Sequence, residues 1–189
     1  MLGHRIFQGL AVTAVAACYI VILIGGTVMA NDAGLGCPSW PSCHGTYFPA
    51  LQGAAGIEWA HRLSAFVLSV VIAALLVAAL IAERARPQLI RLTGAAACLV
   101  VAQALLGGVV VDSDLLVLYV LFHLALATAL FGLLLLIAFL SIYRTLPKRW
   151  VEWARRASEE LPASEQLARR GDAPERAPGA PDPTVRGPA

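Results

Sequence analysis

LSAFVLSVVIAALLVAALIA, from Leu63 to Ala82, is twenty residues long and contains no charge, proline or glycine. At 1.5 Å per residue a helix of that length spans about 30 Å, the thickness of a bilayer's hydrocarbon core. Three further uncharged runs of comparable length accompany it: Ile6 to Met29, Leu92 to Val111, and Leu115 to Tyr143. Proline breaks none of them. Lipid offers a peptide group no hydrogen-bond partner, so each run reads as one continuous helix. The expected fold class is all-α, an integral membrane four-helix bundle.

Composition agrees. Of 189 residues 59% are apolar and 14% charged, against about a quarter charged in a soluble domain. Met1 to Arg144 holds 11 of the 26 Asp, Glu, Lys and Arg residues, and the remaining 45 positions hold 15. The chain therefore divides into a transmembrane domain, 1–144, and a cytoplasmic tail, 145–189. The tail opens with Lys148, Arg149, Trp150, Trp153, Arg155 and Arg156, an amphipathic segment suited to the headgroup zone. From Ala173 onward Pro, Gly, Ala and charge dominate without periodicity, which reads as disorder. The net charge is only +2, and no basic patch is interleaved with aromatics, so membrane lipid is an expected partner and nucleic acid is not.

Basic residues set the orientation. Arg5, then Arg84, Arg86 and Arg91, then Arg144, Lys148 and Arg149 fall on one side, while the loops Ala30 to Ile57 and Asp112 to Asp114 contain no Lys or Arg. The positive-inside rule places both termini in the cytoplasm of a multi-pass plasma-membrane protein, with Arg62 as the exception to explain. The first run also admits reading as a signal peptide, with Val28, Met29 and Ala30 as a small-residue cleavage site. Its 24 apolar residues exceed the usual signal core of about 7 to 15, and a retained span is expected.

The sequence echoes itself. Gly25, Gly26, Thr27 and Val28 end the first span; Gly107, Gly108, Val109 and Val110 end the third. Each Gly-Gly is followed by an outer loop and a helix bearing one histidine, His61 in the second span and His123 in the fourth. The bundle is thus two hairpins of like orientation, a parallel repeat whose ligand site is expected where the repeats meet. If the second helix extends outward to about Gly53, both imidazoles reach similar depth in the outer half of the bilayer. Ionisable residues within spans are costly and mostly face the bundle interior. Two neutral imidazoles are too few for zinc, which takes four protein ligands or three plus water, but they suffice as axial ligands of a haem iron. Ala65 and Ala127, four residues after each histidine, leave room on the same faces for a flat ring.

Glu58, His61 and Arg62 are spaced i, i+3, i+4 and share one side of the second helix. Two readings compete. In one, Glu58 complements the positive helix start and Arg62 snorkels to headgroups. In the other, His61 ligates iron, Arg62 pairs with a haem propionate, and Glu58 acts as base or electrostatic stabiliser beside the reacting edge.

Cys37 and Cys43 lie in the outer loop, where thiols oxidise, and a disulfide is expected there, either as a staple or as a reactive bridge near the site. Cys18 and Cys98 lie within spans and are expected to be buried small apolar residues. Cys43 followed by His44 suggests covalent haem attachment, but Trp40 holds the place of the first cysteine in C-x-x-C-H, so His44 reads as an exposed loop residue.

GLGCPSWPSCHG, from Gly34 to Gly45, followed by EWAHR, from Glu58 to Arg62, resembles the first half of haem A synthase, the cytochrome oxidase assembly family. Gln103, Leu106, Gly107, Gly108 and Val109, then His123 and Leu124, are similar to the third and fourth helices of the same half. The resemblance implies an oxidoreductase that converts haem O to haem A, oxidising a porphyrin methyl to a formyl group for cytochrome oxidase assembly. It implies haem ligands at His61 and His123, a glutamate needed for chemistry at Glu58, and a cysteine pair at Cys37 and Cys43. The usual member fuses two such halves, one holding haem b as cofactor and one taking the substrate haem. A chain of one half implies a homo-oligomer that supplies both sites, with haem O synthase or cytochrome oxidase assembly factors as further partners. Met29, where the family often has Arg, and Ser39, where Asp is common, depart from the pattern. The rival expectation is a bis-His membrane cytochrome acting only in electron transfer; a four-helix thiol oxidoreductase would need a C-x-x-C pair that this loop lacks.

Overall fold

The structure, a computed structural model, describes residues 2–49 and 52–143. It contains four helices: α1 (Leu2–Ala30), α2 (Gly53–Ala82), α3 (Pro87–Asp112) and α4 (Val117–Tyr143). All four are long and apolar enough to cross a membrane, and the chain is a multi-pass membrane protein. The amphipathic segment and disordered tail expected from 145 onward lie outside the described residues.

Helix boundaries differ from the uncharged runs for local reasons. α2 begins at Gly53, ten residues before Leu63, so Glu58, His61 and Arg62 are helical. α3 begins at Pro87, where the missing N–H costs nothing because the first turn has no acceptor for it. α4 begins at Val117 because Asp114 and Leu115 take φ of 51° and 59°, left-handed values that end one helix and delay the next.

α1 packs on α2 and α4, and α3 packs on α2 and α4, so α2 and α4 stand at opposite corners. The core has one register on every helix. Buried positions run Phe7, Ala11, Ala14, Cys18 on α1; Leu68, Ile72, Leu75, Ala79 on α2; Leu89, Thr93, Ala96, Val100 on α3; and Leu130, Leu134, Ile137, Ser141 on α4. That 4-3-4 spacing keeps one stripe facing the bundle axis. Outward faces stay apolar, with Phe66, Val67, Val70 and Val77 of α2 exposed, as lipid contact requires. Cys98 is exposed too, which corrects the expectation that both span cysteines are buried: it falls off the inner stripe, whereas Cys18 lies on it.

The end of the bundle where α1 begins and α4 ends is tied by polar groups. His4 Nδ1 meets Glu83 Oε1, Arg86 Nη1 lies 3.8 Å from Glu83 Oε2, and Arg86 Nη2 donates to the Leu140 carbonyl at 2.8 Å. Gln8 Nε2 donates to the Ser141 carbonyl at 3.0 Å. Glu83 is 2% exposed, so this network joins α1, the α2–α3 turn and α4 in a region of low polarity.

Candidate haem site and its lid

Continuing the core stripe toward the opposite end brings Val21 and Gly25 of α1, Ala65, His61 and Glu58 of α2, Gln103 and Gly107 of α3, and Ala127 and His123 of α4 onto the inner face. Packing changes there. No buried side chain lies between Cys18 and Val28, between Glu58 and Leu68, between Val100 and Gly108, or on α4 before Leu130. Nine residues of α1 or α2 correspond to a layer about 13 Å deep. The side chains lining it are half-buried, in contrast to the closed core beneath.

Within this layer each hairpin repeats one contact. A Cβ built on Gly25 would sit 3.1 Å from His61 Cε1, and one on Gly107 would sit 3.3 Å from His123 Cε1. The glycine of the first helix in each hairpin therefore makes the space into which the imidazole of the second fits. The two imidazoles thus occupy matched positions on helices at opposite corners of the bundle. Nδ1 of each ring is buried and has no hydrogen-bond partner among the described residues. Buried polar atoms are mostly satisfied, and a pair left bare in matched positions is a donor set for an iron with two open axial positions. Among the described residues no group of three or more His, Cys, Asp or Glu is assembled as a metal site. The half-buried layer, the two bare nitrogens and the small residues beside them fit a haem.

The expected disulfide is formed: Cys37 and Cys43 are bonded, with Cα atoms 4.6 Å apart and both side chains buried. Their loop closes the end of the bundle. Trp40 lies against α3, where a Cβ on Gly108 would come within 3.0 Å of its indole. Trp59 Nε1 of α2 donates to the Tyr47 carbonyl at 2.9 Å, pinning the far side of the loop. His44 is exposed and contacts the Gly36 carbonyl at 3.0 Å, as a loop residue would.

Arg62 explains its own presence on the loop side. Nε donates to Glu58 Oε1 at 2.9 Å, Nη1 to the carbonyls of Ser39 (2.6 Å) and Ser42 (3.0 Å), and Nη2 to that of Cys37 at 2.7 Å. Its side chain is 16% exposed and that of Glu58 7%. Snorkelling to headgroups is therefore not its role; the guanidinium fastens the disulfide loop to α2. One N–H of Nη2 lies outside these four bonds, and that is the most a propionate could use. Glu58 is 5% exposed, with Oε1 committed to Arg62.

Sequence reasoning placed Glu58, His61 and Arg62 on one side of a helix, and the structure assembles them there with the loop. Gln103, named from the sequence only among the residues that carry the family resemblance and given no role there, donates from Nε2 to the His123 carbonyl at 2.9 Å, and its Oε1 is buried without a partner among the described residues. The available signal was its position four residues before Gly107, on the inner stripe.

Comparison with known proteins points the same way. The Cytochrome oxidase assembly protein family matches residues 8–163. The chain is 43% identical over 60 residues to the haem A synthase of Bacillus pumilus, covering 31% of this chain and 20% of that protein. It is 35% identical over 116 residues to the haem A synthase of Geobacillus kaustophilus, covering 61% and 37%. It is 31% identical over 80 residues to the protohaem IX farnesyltransferase of Haloarcula marismortui, covering 42% and 17%. The chain thus matches well under half the length of each of these relatives. With four spans, an inward-facing histidine pair and a match over most of its length, the chain belongs to the cytochrome oxidase assembly protein family, alongside the haem A synthases.

Proposed function

We propose that this chain is a membrane oxidoreductase of haem A biosynthesis that takes haem O as substrate and oxidises one porphyrin methyl to a formyl group. The observation that carries the reading is the pair of buried imidazole nitrogens, unpartnered among the described residues, in matched positions of α2 and α4, each ring seated against a glycine of the neighbouring helix. His61 and His123 hold the iron, one from each hairpin, and Gly25 and Gly107 set the position of the rings. The same residues in another copy of the chain would hold haem b, which would supply one-electron redox chemistry when bound. A single bundle offers one bis-His site, so a homo-oligomer provides cofactor and substrate sites together.

Glu58 acts beside the reacting edge. Turning a methyl into a formyl group takes one oxygen atom from water and releases four protons and four electrons: Arg62 holds Glu58 Oε1, Oε2 would accept protons from the substrate, and the electrons would pass one at a time to an external membrane electron acceptor. The loop clamped by Arg62 shields that end of the layer from water. In this reading residues 1–144 form the catalytic domain, 145–189 the cytoplasmic tail, and the disulfide loop faces the outside of the plasma membrane. Haem O synthase and cytochrome oxidase assembly factors are the partners that would deliver substrate and receive product.

The test is expression of the chain with a source of haem O, followed by extraction and chromatography of the pigments. Haem A should appear. Intact low-spin haem b spectra without conversion would instead identify a bis-His cytochrome that only transfers electrons.

A further inference from the structure

The two hairpins superimpose in sequence register as well as in packing. Positions 7, 11, 14, 18, 21 and 25 of α1 correspond to 89, 93, 96, 100, 103 and 107 of α3, and 58, 61 and 65 of α2 to 120, 123 and 127 of α4. Most pairs are alike: Cys18 with Val100, Ala14 with Ala96, Gly25 with Gly107, Ala65 with Ala127, His61 with His123. The equivalence breaks at Ala11 with Thr93, at Glu58 with Val120, and at Val21 with Gln103. Thr93 spends its hydroxyl on the Leu89 carbonyl and Glu58 is held by Arg62, whereas Gln103 places a primary amide in the half-buried layer where the first hairpin has an aliphatic side chain.

The direction of that amide is fixed. Its partner is the His123 carbonyl, which can only accept, so the nitrogen must face α4 and the oxygen faces away from it. The oxygen is buried and has no hydrogen-bond partner among the described residues. A brace for α4 alone does not need it, since the first hairpin seats His61 without an amide at position 21. An unpaired buried acceptor disfavours any occupant that brings no donor.

A metallated porphyrin offers few donors. Its ring nitrogens carry no proton and its ionised propionates only accept. An alcohol on the periphery is the remaining candidate. We infer that Gln103 is a specificity-determining residue whose Oε1 accepts a hydrogen bond from an alcohol on the edge of the substrate haem, so that the site selects hydroxylated haems over their deoxy counterparts. The inference rests on the haem reading above. Two alcohols share this chemistry: the hydroxyl on the isoprenoid-bearing arm of haem O, and the hydroxymethyl formed when the reacting methyl is first oxidised.

Soret titration of the detergent-purified chain tests it with two ligand pairs. One is haem O against its deoxy analogue, with hydrogen in place of the arm hydroxyl. The other is protohaem carrying a hydroxymethyl in place of the reacting methyl, against protohaem itself. At least one pair should show about a tenfold preference for the alcohol, the size of one buried hydrogen bond, and the pair that does identifies the source. Gln103→Met should bring that ratio to one while both complexes stay low-spin. Ratios of one for both pairs in the unaltered protein overturn the proposal without recourse to any variant. So does a Gln103→Met protein that keeps the preference or loses low-spin ligation of every haem alike, the latter marking Gln103 as only a brace for His123. Failure of the unaltered protein to form a low-spin complex with any of these haems defeats the haem reading itself, and is visible before any ratio is taken.

Discussion

Replacing Gly25 by alanine tests whether the imidazoles are held where the iron needs them. The added methyl would lie 3.1 Å from His61 Cε1, against an optimum of about 3.5–4.0 Å for two carbons. The ring must retreat by roughly 0.4 Å or more, or α1 and α2 must part. Overpacking of this kind costs about 1–3 kcal/mol, and if it falls on the ligated state the loss of haem affinity is roughly 5-fold to 150-fold. Gly107→Ala meets His123 at 3.3 Å and should lose less. Gly26→Ala meets nothing within 4 Å and should bind as the unaltered protein does. Alanine is also the better helix former by about 1 kcal/mol, so none of the three should lose helix content. Haem titration followed at the Soret band, with circular dichroism as the control, gives the order Gly25, Gly107, Gly26 from most to least damaged. If Gly26→Ala is as harmful as Gly25→Ala, or if Gly25→Val keeps full low-spin haem, the glycines do not position the histidines and the proposed site loses its geometric support.

Other perturbations separate ligation, chemistry and scaffold. His61→Ala or His123→Ala should abolish the low-spin haem spectrum, whereas Glu58→Ala should retain pigment and stop haem A formation; full activity in Glu58→Ala would return that residue to a capping role. Arg62→Ala strands the Glu58 carboxyl and frees three loop carbonyls, which should cost about 3–5 kcal/mol in denaturant unfolding and raise hydrogen exchange over 37–46. Adding Glu58→Gln should recover part of that stability, and simple additivity of the two losses would show that the pair is uncoupled. Replacing Cys37 and Cys43 by serine should cost about 2 kcal/mol in the chain-entropy description and leave haem binding intact. Glu83→Ala, at the far end, should destabilise by about 3–5 kcal/mol with an unchanged haem spectrum, because it empties the buried network of His4 and Arg86.

The sequence by itself determined the class of fold, the four spans and the two histidines. Uncharged runs some 30 Å long have no other stable use, and an ionisable side chain inside one must turn away from lipid. It also indicated the loop disulfide, because the outer loop lies where thiols oxidise, and the shared face of Glu58, His61 and Arg62, which follows from short-range spacing. It did not reveal the inner stripe. Residues such as Val67, Leu68 and Val70 are alike in hydropathy, so periodicity is silent when lipid and protein are equally apolar. Only helix packing decided that Leu68 is core and Phe66 meets lipid, or that Cys18 is buried and Cys98 is not. Arg62 illustrates the remaining gap. Its charge suggested a ligand, but three of its hydrogen bonds go to peptide carbonyls 20 to 25 residues away, and backbone acceptors are identical in every residue until the chain's path brings particular ones together.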